Sequence, residues 1–214
     1  KPENRRKLEF SKMNPFSSLK KLLTYKSLLI YFFTFALVFL AGQVHPSIWT
    51  LYTEYKFSWT AWQVGLSLCF VGVVYGASQA LLTKKLIPIW GETKALNVGL
   101  FVSMIAYFLY GIVTESWMIY AVVLGSCLSA LAAPCLQSMM TKEVPADQQG
   151  ELQGGLTSIS SLTCIIAPLL YSKSFDYAVS NTALKNLIGL PYYIAAIIIG
   201  LSWVLLLKKG LKVS

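Results

Sequence analysis

The charged residues of this chain are spaced so that six long apolar stretches lie between them, at about 28–53, 61–82, 95–114, 117–140, 150–172 and 188–207. About 20 residues of helix, rising 1.5 Å each, cross a hydrocarbon core of about 30 Å. Lipid offers no water to free backbone groups, so such a stretch must close its own hydrogen bonds as a helix. The pattern predicts an all-α membrane protein with six transmembrane helices. Hydrophobic residues take 56% of 214 positions and charged ones 13%, whereas a soluble domain carries about a quarter charged residues.

The net charge of +9 follows a membrane rather than a nucleic acid. With the N-terminal segment in the cytoplasm, only Lys56, Lys173 and Lys185 of the 18 Lys and Arg fall on the far side. This is the positive-inside asymmetry, and it sets both termini in the cytoplasm. Residues 1–26 are then a cytoplasmic linker or interfacial segment, 27–208 the transmembrane unit and 209–214 a cytoplasmic tail. Leu19, Leu22 and Leu23 among Lys20, Lys21 and Lys26 fit either a short helix on the inner leaflet or a disordered tether. The chain opens at Lys1 without a Met, the expectation for a fragment or a processed chain.

Catalytic chemistry is poorly supplied. There is one His, no acidic residue at mid-membrane, and four cysteines without metal-ligand spacing. An enzyme, a metal site and a cofactor are not expected. An ionised group at mid-membrane costs at least about 2.5–3.5 kcal/mol, which agrees with all nine acidic residues lying in loops or near helix ends.

Polar groups inside a membrane need partners or a cavity. Gln43, Ser47 and Thr50 share one face of the first helix, and Tyr75 and Gln79 one face of the second. Ser126, Ser129 and Gln137 form a stripe on the fourth, and the fifth is densest, with Gln153, Thr157, Ser158, Ser160 and Ser161. The third and sixth are sparser and are expected to face lipid. Ordinary Ser/Thr hydrogen bonding between helices explains any one of these residues; the pattern across four helices predicts a polar interior. It also predicts two inverted three-helix repeats, the arrangement of a transporter half. The expected substrate-contacting residues are Gln43, Trp49, Tyr75, Gln79, Ser129, Gln137, Thr157 and Ser161. Amides and hydroxyls orient a ligand, and the two rings offer flat apolar contact. Pro46, Pro134 and Pro168 are expected to bend their helices and serve gating. His45 is read either as a proton-sensitive group or as a packed interfacial histidine.

Gly150-Glu151-Leu152-Gln153-Gly154-Gly155-Leu156-Thr157-Ser158, continuing through Ser161-Leu162-Thr163 to Ile166-Ala167-Pro168-Leu169-Leu170, resembles the tetracycline-efflux branch of the major facilitator superfamily. Weaker echoes are Arg5-Arg6 with Asn14-Pro15, Gly42-Gln43, Trp49 through Glu54, Gly72 through Ala80, Gly91-Glu92-Thr93-Lys94 and Pro134-Cys135-Leu136-Gln137. The likeness spans nearly the whole chain and implies the second six-helix half of a drug:proton antiporter. It further implies a missing N-terminal half, alternating access, a small-molecule substrate, protons as the coupling ion and a bacterial cytoplasmic membrane. Tyr75 stands where the tetracycline exporters usually carry His, and Ser103 where they carry an intramembrane Asp, which implies a substrate other than tetracycline. Two rival expectations are a transporter-fold sensor or assembly protein without coupling, and a six-helix protein that dimerises.

Overall fold

The computed structural model describes the backbone of residues 26–181 and 187–213 and the side chains of 28–181 and 187–208. The expectations for residues 1–25, for Lys185 and for the 209–214 side chains lie outside the described residues. Among the described residues, eight α-helices build six spans and no strand occurs. The first span is α1 (Lys26–Gly42) and α2 (Val44–Phe57), the second α3 (Ala61–Trp90) and the third α4 (Glu92–Ile112). The fourth is α5 (Ser116–Gly125), a 3-10 turn (Cys127–Leu131) and α6 (Ala132–Lys142), bent by 44°. The fifth is α7 (Gln149–Ser180) and the sixth α8 (Leu190–Val213).

The sequence pattern treats Thr83–Lys94 as a loop, but α3 continues to Trp90. Lys84 and Lys85 end the apolar run without ending the helix, because lysine is an ordinary helix former once it is in water. One residue, Gly91, joins α3 to α4 with φ +76°, a left-handed value that a side chain would strain. By the same logic α7 runs past Lys173 to Ser180. At the opposite end Ser58 turns the chain, and Thr60 caps α3 in a reciprocal box with Gln63. The indole N–H of Trp59 donates to Ser116 Oγ at 2.9 Å, tying two connections together.

Two of the three prolines follow interruptions of the helix: a 44° bend in the fourth span, and in the first a single turn residue, Gln43, across which Leu28–Phe57 still runs as one span. A proline ring collides with the carbonyl four residues earlier, which for Pro46 is Gly42, the last residue of α1. For Pro134 it is Ala130, inside the 3-10 turn. Each proline is the third residue of the helix that follows its break, where a missing N–H is harmless. Pro168 behaves differently: α7 passes through it unbroken.

The third and sixth spans do not simply face lipid. As single helices, α4 and α8 pack on one another more extensively than any other pair. Their outer faces expose Phe101, Phe108, Ile197 and Leu201, while Leu96, Leu100, Tyr110, Tyr192 and Ile199 are buried. The second span is the most open, with Trp62, Leu66, Val73 and Leu81 uncovered, followed by the fifth with Leu162, Ile165 and Leu169.

Candidate functional site

Two adjoining cavities open where the spans converge, sharing Phe39 and Ala133. The larger, about 280 Å³, is lined by Gly42 and Gln43 at the first break, Tyr75 of α3, Ser103, Tyr107 and Tyr110 of α4, and Ser129 of the 3-10 turn. The Tyr75 hydroxyl sits between two serines, accepting from Ser129 Oγ at 3.1 Å and sharing a hydrogen bond with Ser126 Oγ at 3.2 Å. The irregular backbone of the fourth span thus presents its hydroxyls to the second span, and Tyr75 reads that break. Across the cavity the Gln43 amide donates to Cys164 Sγ at 3.3 Å, linking the first break to α7.

The smaller cavity, about 240 Å³, is lined by Gln79, Gln137, Gln153, Thr157 and Ser160 against Phe35, Phe39 and Leu156. Gln137 Nε2 donates to Gln153 Oε1 at 3.1 Å, and Thr157 returns its hydroxyl to the Gln153 carbonyl at 2.9 Å. The Gln79 amide has no partner within the described residues, so it is free to donate and accept into the cleft. No Asp, Glu, Lys, Arg or His lines either cavity. The chemistry on offer is neutral amide and hydroxyl recognition beside aromatic faces.

The structure brings six of the eight expected contact residues to these cavities: Gln43, Tyr75 and Ser129 to one, Gln79, Gln137 and Thr157 to the other. Trp49 is a correction. It is 3% exposed, and its indole N–H donates to Ser67 Oγ at 2.9 Å, so it packs the first span on the second instead of facing a ligand. Ser161 is exposed on α7 but lines neither cavity. Tyr107, Tyr110 and Ser103 were missed because the third span was assigned to lipid. Their signal was spacing: Ser103, Tyr107 and Tyr110 recur at four and three residues, one helix face.

At the Gly91 end, ahead of the apolar stretch that begins at Ala95, Glu92 closes the third span onto the fourth. Ser138 Oγ donates to Glu92 Oε1 at 2.6 Å, and Lys142 Nζ donates to Glu92 Oε2 at 2.7 Å. These two donors, Lys142 first, hold the Glu92 carboxyl below its ordinary range.

Residues 1–168 match the Major Facilitator Superfamily. Tetracycline resistance protein, class E, of Escherichia coli is 33% identical over 187 residues, covering 86% of this chain and 45% of that protein. Tetracycline resistance protein, class H, of Pasteurella multocida is 32% identical over 155 residues, covering 72% and 39%. Hippocampus abundant transcript 1 protein of Mus musculus is 25% identical over 180 residues, covering 84% and 36%. The chain belongs to the Major Facilitator Superfamily and has the fold of half such a protein. It is an integral membrane protein of a transporter family, and it spans less than half the length of these relatives.

Proposed function

We propose that this chain is the C-terminal half of a secondary active transporter that exports a small organic molecule by alternating access in exchange for protons. The observation that carries the reading is the placement of the two backbone breaks, after Gly42 and around Ser126–Leu131, on the wall of one neutral polar cavity. A site built on two hinges changes shape when either hinge moves. The substrate is an amphipathic molecule held by amide and hydroxyl contacts from Gln43, Tyr75, Gln79, Ser129, Gln137 and Thr157. Tetracycline itself fits poorly with this wall, since Tyr75 and Ser103, the two departures from the tetracycline exporters, both line the larger cavity.

The open faces of α3 and α7 receive the N-terminal half. Gly65, Gly72, Gly76, Gly150 and Gly154 have no atom within 4 Å of a built Cβ, so their close-approach surfaces are unused within this chain. The basic asymmetry sets the Gly91 end in the cytoplasm of a bacterial inner membrane, with both termini on that side. The lack of a carboxylate at mid-membrane in this chain favours a second reading, a transporter-fold sensor without coupled flux. Full-length protein in proteoliposomes, tested against dyes, drugs and metabolites with an imposed pH gradient, separates the two. Loss of flux in Tyr75→Ala and Gln79→Ala is the expected result. Unchanged flux in both removes the assignment of this cavity, and absence of any pH-driven flux leaves the sensor.

A further inference from the structure

We propose that His45 is a proton-binding site of this half, its charged form held in a cage of four aromatic rings directly behind the substrate cavity. The proposal adds a coupling group to the transport reading and rests on that reading for its functional consequence. His45 is the second residue of α2, between the break at Gln43 and Pro46. Its ring centroid lies 4.9 Å from that of Tyr110, 5.2 Å from Trp49, 5.5 Å from Tyr107 and 5.6 Å from Tyr192. The Tyr110 and Trp49 contacts are edge-to-face. The cage draws on the first, third and sixth spans. All four centroid separations are below 6 Å, and the Tyr107 and Tyr192 contacts are tilted.

Two buried atoms inside this cage have no hydrogen-bond partner, His45 Nδ1 and the Tyr192 hydroxyl. Tyr192 is completely buried. A packed histidine kept only for its shape would be better served by phenylalanine, because an orphaned polar atom in the interior is costly. An imidazole nitrogen left open among aromatic rings is instead a base available to a proton. No group of three or more His, Cys, Asp or Glu that could hold a metal occurs among the described residues, so the ligand that fits is the proton.

The groups facing the cage are almost all neutral. Tyr52 of the first span packs on Tyr192 at 5.0 Å and accepts from Lys56 Nζ at 2.9 Å, which brings one cation to the outer rim. Tyr107 and Tyr110 come from the third span and Tyr192 from the sixth. From the second and fifth spans the titratable groups that act on Tyr107 are Tyr75 and Tyr171. Glu54, the one carboxylate of α2, is exposed near that helix's end. Tyr107 and Tyr110 also line the larger cavity. A charge on His45 therefore stands one ring behind the wall that meets the substrate, next to the break that shapes it.

The test uses the full-length transporter in lipid nanodiscs. A protonated imidazole quenches an adjoining indole, and Trp49 is in edge contact with His45. The Trp49 emission, obtained by subtracting the Trp49→Phe variant, is followed between about pH 8 and pH 4, where an imidazole titrates. The expected result is a one-proton quench of roughly twofold, absent in His45→Gln. Tyr192→Phe removes a single oxygen and is expected to move the midpoint to more acidic pH. It decides the matter if His45→Gln fails to fold. In proteoliposomes His45→Gln is expected to flatten the pH profile of dye flux. Trp49 emission that ignores pH, or that titrates identically in His45→Gln, overturns the proposal. A quench that depends on His45 while Tyr75→Ala and Gln79→Ala transport normally sustains this site and sinks the cavity assignment instead.

Discussion

Gly99 is the point where the third and fourth spans meet at backbone distance, and replacing it with alanine probes that contact directly. A methyl group built on Gly99 falls 2.9 Å from Ala132 N, 3.1 Å from Ala132 Cβ and 3.2 Å from Ala132 Cα. None of these is a flexible side-chain end, so relief requires α6 to shift as a body. Overpacking of this kind costs about 1–3 kcal/mol. Alanine in place of glycine inside a helix returns about 0.8–1.0 kcal/mol. Gly99→Ala should therefore lose about 1 kcal/mol. Gly125→Ala is the control: nothing lies within 4 Å of its Cβ, so the clash vanishes and a gain of about 0.4–1 kcal/mol remains. Equilibrium unfolding in mixed micelles, followed by circular dichroism across a detergent titration, resolves a difference of this size. The shift also has a functional consequence, since Ser103 donates to the Gly99 carbonyl at 2.8 Å and α6 follows directly on the turn bearing Ser129. Equal or greater stability for Gly99→Ala, alongside a gain for Gly125→Ala, would refute the close packing of α4 on α6.

Three further outcomes follow from contacts elsewhere. A double-mutant cycle of Tyr75→Phe and Ser129→Ala should show coupling near 0.6 kcal/mol, the usual value for a hydrogen bond between membrane helices; additivity in the unfolding assay would separate the two side chains. Glu92→Gln breaks an exposed ion pair worth at most about 1 kcal/mol. Because the folded carboxyl titrates below its unfolded value, the clamp's contribution is complete above the ordinary carboxylate range and is lost as pH falls through the lowered folded value. The parent should thus destabilise more steeply than Glu92→Gln on the acid side, measured as unfolding midpoint against pH. Pro46→Ala should restore the helix between α1 and α2, raising thermal stability while slowing dye flux in proteoliposomes; faster flux would contradict a hinge at Gln43.

The number of spans and the polar character of the interior were legible because both arise from period and exclusion of charge, which lipid enforces residue by residue. Helix ends were not. Lys84 and Lys173 end the apolar runs without ending the helices, so hydropathy stops short of Trp90 and Ser180. Trp49 was misread because amphipathic rings suit both a ligand and a core, and its choice was settled by Ser67, 18 residues away and buried on the neighbouring helix. The aromatic side of the cavity was hidden for a related reason. Tyr107 and Tyr110 stand in a helix that also exposes Phe101, Ile105 and Phe108, and average hydropathy blends its faces into one apolar run.

The prolines show how a local rule acquires a role only through its place in the fold. All three expected bends obey the same steric rule, yet only Pro46 and Pro134 sit as third residues of a restarted helix. They belong to the first and fourth spans, which are equivalent positions if the two three-helix repeats are inverted copies. A break in one repeat alone would tilt one wall of the cavity. In the alternating-access cycle proposed above, breaks in both would let opposite walls tilt in opposite senses, because inversion reverses which half of each span faces which side of the membrane. Pro168 lies in the fifth span, whose repeat equivalent, α3, contains no proline at mid-membrane. An unbroken α7 can carry its load of serines past the cavity as a rigid rail, with Thr157 and Ser160 facing the cleft. The difference between two interrupted spans and two continuous ones follows from where these prolines fall, and both interruptions lie beside residues that line the larger cavity.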